Sequence, residues 1–200
     1  MKFKLSLLSL CVMPSLAMAS QFERIDQVIS KNQNNLTGVH AIEAKLKLAS
    51  GSKLAMTKQS LSQKTGILHT RYQQTVNGIP VWKAEATVHE GQTTQVTGQM
   101  LSNLDNSKLV RSANSAQDVL NHATRMATNK FGLKSEKEIQ KTKVKPYIYR
   151  EQSGRLVEAF LVDLLILTDT VASRPQMMIR GSDLFLLESW EGLAHNHVDG

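Results

Sequence analysis

The alternation of apolar and polar positions is clearest in the first half of the chain. Leu68, Thr70, Tyr72, Gln74 and Val76 fall on one face of an extended segment, and His69, Arg71, Gln73 and Thr75 on the other. Further on, Trp82, Ala84, Ala86 and Val88 alternate with Lys83, Glu85, Thr87 and His89, as a half-buried antiparallel strand requires. Asn77-Gly78 between them marks a turn, because both residues tolerate positive φ. Pro80 lacks an N–H and belongs at a strand entrance or edge. Glu90-Gly91 turns the chain again, and Gln92 to Leu101 completes a three-stranded meander. Ahead of it, Phe22, Ile25, Val28 and Ile29 recur at helical spacing behind a Ser20/Glu23 capping-box pair, which predicts a helix ended by the polar run Lys31 to Asn35. Val39 to Thr57 has no clear period.

The pattern restarts after the polar stretch Ser102 to Ser112, which reads as a linker. Ser115 with Asp118 marks a helix start. Val119, Leu120, Ala123, Met126, Ala127 and Phe131 form its apolar stripe, and Gly132 stops it. Strands are expected at Val144–Arg150 and Leu156–Leu167, with a turn at Gln152-Ser153-Gly154. The second of these is apolar on both faces, which places it mid-sheet and covered on both sides. Pro175–Arg180 and Leu184–Trp190 form a closing hairpin around Gly181-Ser182-Asp183. The fold class is α+β, with two small subdomains at 20–105 and 112–191, each a curved antiparallel sheet packed with a helix.

The N-terminus changes the picture of where this chain works. Lys2 and Lys4 precede the short apolar run Leu5 to Val12. Pro14 breaks that run, and Ala17-Met18-Ala19 is a small-x-small cleavage site. Residues 1–19 are therefore expected to be a signal peptide, with export to the periplasm or the medium. The single cysteine, Cys11, lies inside it, so the exported chain has no disulfide and no thiol nucleophile. No later stretch is long and apolar enough to span a bilayer. The 24 basic and 17 acidic residues give +7; without Lys2 and Lys4, 22 against 17 leaves +5. The densest basic patch, Lys134 to Lys145, has no interleaved aromatic residues, and nucleic acid is not an expected partner.

His69-Thr-Arg71-Tyr-Gln-Gln74, then Asn77-Gly78-Ile-Pro80-Val81-Trp82, then the strand ending at Val88-His89, resembles the signature of the fungalysin/thermolysin propeptide domain. The helix and strands that follow are similar to a PepSY domain, which comes second in thermolysin-family pro-regions. The tail from Arg174-Pro175 to Trp190-Glu191-Gly192-Leu193 resembles the end of such a region. In the last hairpin turn, Arg180-Gly181-Ser182-Asp183 stands where the family has Asp-Ala-x-Thr-Gly. The resemblance covers about residues 22 to 197. It implies a propeptide that chaperones and inhibits a thermolysin-like catalytic domain, within one precursor if such a domain follows Gly200 in the gene, or as a free-standing protein. Zinc and calcium would then belong to that domain, and this chain would need no cofactor. An exported PepSY-type module that binds peptides or senses a ligand in the cell envelope is the other class.

Catalytic chemistry is not legible here. His-Glu-x-x-His, which sets two imidazoles and a general base on one helix face, does not occur, nor do Gly-x-Ser-x-Gly or a glycine-rich phosphate loop. Glu85 and Asp163 have nothing that brings them together. A loop closing at Val76 pairs odd positions with even ones, which puts His69 and His89 on opposite faces. His195 and His197 sit in the tail at 192–200, near the processing junction that the resemblance implies. Two roles stay open for Arg71, Gln74, Gly78, Pro80 and Val81, and for Trp82 and Trp190: holding the fold, or touching a protease.

Overall fold

The computed structural model describes residues 20–29, 43, 48, 51–102, 104 and 106–193. The expected signal peptide and the tail histidines His195 and His197 lie outside the described residues. Along the chain run β1 (Gln21–Ile29), β2 (Ser52–Leu61), β3 (Leu68–Val76), β4 (Ile79–Glu90) and β5 (Thr94–Ser102). After them come α1 (Ala116–Phe131), β6 (Ile139–Arg150), β7 (Leu156–Leu167), β8 (Ala172–Ser173), β9 (Pro175–Arg180) and β10 (Leu186–Glu191). The architecture is α+β, mostly sheet, with the sheet curled into a half-barrel.

The first five strands form an antiparallel sheet in the order β2-β3-β4-β5-β1. The second runs β6-β7-β9-β10, with β8 against the end of β7. One strand joins them, since Val81 of β4 pairs in parallel with Ile148 of β6. The core follows that join. Val76, Val81, Ala84 and Leu101 of the first sheet pack with Leu109, Ile148 and Leu156 in a single buried cluster.

Helix α1 is built as its sequence predicts. Ser115 and Asp118 cap each other reciprocally, and Gly132 takes the left-handed conformation at the C-terminus, with φ 63°. Its buried stripe, Val119, Ala123 and Ala127, lies on Val162, Leu164 and Ile166 of β7 and Met177 and Ile179 of β9. The other face of β7 is covered as well, by Trp82, Tyr147 and Trp190 packed over Val157, Ala159 and Met178.

Three local readings are corrected. Residues 21–29 are strand, not helix: all nine pair with β5, from Gln21↔Ser102 to Ile29↔Thr94. A full-length ladder formed across the sheet overrides local propensity. Ser20, expected as a helix cap, instead donates its hydroxyl to the Gly154 carbonyl at 2.7 Å. Phe22 and Ile25 then fall on opposite faces, in separate core clusters. Secondly, Ser52–Leu61 is a strand, β2, that shows no period in sequence because only Leu54 in it is buried. Thirdly, the stretch 102–112 is held to the second sheet. Leu109 is buried, Val110 N–H donates to Leu156 O, and Glu158 N–H donates to Val110 O, both at 2.9 Å.

Candidate functional site

The centre of the first sheet carries an irregularity that organises most of the singled-out residues. Asn77 (φ 50°) and Gly78 (φ 82°) make the tight turn, and pairing starts regularly with Val76↔Ile79 and Thr75↔Pro80. It resumes only at Gln73↔Glu85, so β3 has advanced two residues while β4 has advanced five. Val81 to Ala84 form the bulge, with Lys83 left-handed at φ 62°. The two glutamines fill it. Gln73 Nε2 reaches the carbonyls of Gln74, Val81 and Ala84 at 3.1, 2.8 and 2.8 Å. Gln74 is fully buried. Its Nε2 donates to Leu101 O at 3.0 Å and to Ser52 Oγ at 2.9 Å, and its Oε1 accepts Leu101 N–H at 2.8 Å. The last β4–β5 pair is Glu85↔Gln99, so at Leu101 the Gln74 amide replaces the missing backbone partner. Gln73 was not singled out from the sequence. An adjacent Gln-Gln pair on a strand bearing a turn was its only signal.

The bulge also corrects two side-chain placements. Trp82 does not share a face with Ala84, Ala86 and Val88. It turns onto the second sheet, stacking on Trp190 (centroids 5.7 Å apart, planes at 28°) and meeting Tyr147 edge-on at 5.1 Å. The sequence positions of the two tryptophans gave no hint that they touch. Trp190 Nε1 donates to Gln176 Oε1 at 2.7 Å, whereas the buried Trp82 Nε1 has no partner among the described residues. Beside them the Tyr149 hydroxyl donates to Glu188 at 2.6 Å, and Lys83 Nζ lies 3.3 Å from the same carboxylate. Burial, and then that bond to Glu188, push the Tyr149 phenol well above its ordinary pKa.

The second correction concerns the histidines. Three extra residues in β4 change the parity of the pairing, so His69 stands directly opposite His89 on the same face. Their Nδ1 atoms are 2.8 Å apart. They lie on the polar side of the first sheet with Lys58, Arg71, Glu85, Gln99, Arg24 and Asp26, all exposed. Arg71 is exposed and makes no side-chain hydrogen bond among the described residues. Gly78, Pro80 and Val81 shape the turn and the join. Glu85 faces Gln73 and Gln99, and Asp163 is held by Arg174 at 2.7 Å, so the two carboxylates do not meet.

The clefts among the described residues include two on the second sheet. One of ≈ 600 Å³ is lined by Lys141, Lys143, Asp163, Leu165, Arg174 and Leu193. The other, ≈ 240 Å³, lies between α1 and the last hairpin, lined by Met126, Phe131, Pro175 and Trp190 among others. Among the described residues no three His, Cys, Asp or Glu side chains gather as a metal-binding group, and no helix is long and apolar enough to cross a membrane.

These features stand beside one family likeness. Residues 53–100, from β2 through most of β5, match the Fungalysin/Thermolysin Propeptide Motif. The matched segment contains the turn, the bulge, both glutamines and the histidine pair. Among curated proteins no relative matches the chain. The motif supports a protease propeptide role in general terms, and with it a protease catalytic domain as partner, and it is consistent with a non-catalytic chain.

Proposed function

We propose that this chain is the propeptide of a secreted thermolysin-like zinc metalloendopeptidase, serving as folding chaperone and inhibitor of the catalytic domain. The observation that carries the reading is the motif match at 53–100 falling on a sheet whose opposite faces differ so sharply. One side is core. The other presents Arg71, Lys58 and their polar neighbours to solvent. Large secreted proteases reach their native state over high barriers, and a template that binds the folded product also blocks it. In this reading the second half is a PepSY-type domain, the N-terminus is a signal peptide, and zinc and calcium reside in the partner. The catalytic domain is in the same precursor or separate from it.

Titrating the exported form, Ser20–Gly200, into a thermolysin-type protease from the same genome tests this. Saturable, reversible loss of peptide hydrolysis supports it. Full activity in excess of folded protein overturns the inhibitor role. One observation favours the other reading, an exported PepSY-type module that binds peptides. From Ile139 to Tyr147 the outer edge of β6 has no strand partner among the described residues, and an extended peptide can add to such an edge.

A further inference from the structure

The histidine pair stands on the face of the first sheet opposite its buried core. His69 and His89 are half-buried on an otherwise solvated sheet face. In the row across the strands Ser60 of β2 is opposite His69, and Gln95 of β5 is opposite His89. The neighbouring row holds Lys58, Arg71, Thr87 and Thr97, with Asp26 beyond on β1. No carboxylate pairs with either ring among the described residues.

Only one proton fits between nitrogens 2.8 Å apart, so one Nδ1 donates and the other keeps a free lone pair. On its far side, His89 Nε2 lies 2.9 Å from Thr97 Oγ1. A proton on Nε2, donated to that hydroxyl, leaves the Nδ1 lone pair aimed at His69. This is how an outer partner orients a metal-binding imidazole. The rings meet edge to face, at 84°, and so converge through their nitrogens instead of stacking.

We propose that His69 and His89 form a two-imidazole site for a divalent transition-metal ion, copper(II) in preference to zinc(II). The ion takes the place of the shared proton. His69 moves its own proton to Nε2 through solvent, and the remaining coordination positions are left to water. Two bonds of about 2.0 Å at a right angle span about 2.8 Å, whereas a tetrahedral angle opens them to about 3.3 Å. The observed separation suits adjacent corners of a square-planar copper site, and the intrinsic order of affinities favours copper too.

The test is a copper(II) titration at about pH 7.5 against a competing chromophoric chelator, with paramagnetic resonance of the product. It uses a His195→Ala/His197→Ala background, so that tail imidazoles do not contribute. The expected result is one ion per chain, with magnetic coupling to two imidazole nitrogens. His69→Gln and His89→Gln should each weaken binding at least about tenfold, and Thr97→Val, acting through His89, up to about tenfold. Circular dichroism checks that each variant folds. Affinity unchanged in the His69→Gln protein overturns the site. If His89→Gln fails to fold, the parent's spectrum decides: coupling to fewer than two imidazoles refutes the proposal.

Discussion

Replacing Gln74 tests the central claim about the bulge, that a buried side-chain amide substitutes for a missing strand. In Gln74→Met the volume is nearly kept, but Leu101 loses a partner for both its N–H and its C=O, now bonded at 2.8 and 3.0 Å. A buried polar group left unpaired costs about 1–3 kcal/mol, so the two together give about 2–6 kcal/mol. Ser52 loses its bond as well, but it is only half-buried and water can replace the amide there. We expect a loss of about 3–4 kcal/mol for Gln74→Met, and about 1 kcal/mol more for Gln74→Ala, which adds a cavity. That is a large part of the ~5–15 kcal/mol that holds a typical domain folded. Urea unfolding followed by tryptophan fluorescence measures it, with exposed Arg71→Ala as the control expected within about 0.5 kcal/mol of the parent. A Gln74→Met loss below about 1 kcal/mol refutes the account, because the Leu101 backbone would then be satisfied without the amide.

Three more predictions follow from other contacts. In Gly98→Ala the new Cβ would lie 2.2 Å from Glu85 O, at a φ of 142°, so the variant should lose about 2–3 kcal/mol; an unchanged melting temperature would contradict this close strand approach. Arg180 holds Glu151 and Asp183, and both carboxyls have lowered folded pKa values, Glu151 through Arg155 first and Arg180 after it, Asp183 through Arg180. Their contribution is present above the ordinary carboxylate range, about pH 4, and is lost as pH falls through the folded values. Arg180→Met should therefore flatten the acid limb of a stability-versus-pH curve, and a limb as steep as the parent's argues against the pairing. The Trp82–Trp190 stack should give a paired band in circular dichroism that either Trp82→Phe or Trp190→Phe abolishes; a band surviving both changes would contradict the stacking.

The legible parts of this fold are those where local chemistry decides. The Ser115/Asp118 cap, Gly132, the Asn77-Gly78 turn and the two-sided apolar run of β7 all appear where the sequence puts them. What misled was long-range. Nothing within Gln21–Ile29 reveals that β5 has an open edge waiting for it. The parity argument for His69 and His89 was sound for an unbroken hairpin, and failed because β4 carries three extra residues. The same bulge moved Trp82 off the face that simple alternation assigns it. The sequence marks Gln74 only through a family likeness, whereas its zero exposure and its bonds to Leu101 reveal that it works inward. Arg71, two strand positions away from Gln73 on the same side, is exposed to solvent.

The sharing of β4 between the two sheets also bears on how such a molecule is dismantled. A cut among residues 106–108 divides no strand of either sheet. A cut after Lys83, which is exposed and sits at the left-handed point of the bulge, divides the strand that pairs with β3, β5 and β6. Val81 and Ala84 then stand on separate fragments, and the cluster they share with Leu101 and Ile148 opens. Scission at that lysine would therefore split the core that the two sheets share, two residues beyond Val81, where β4 meets β6.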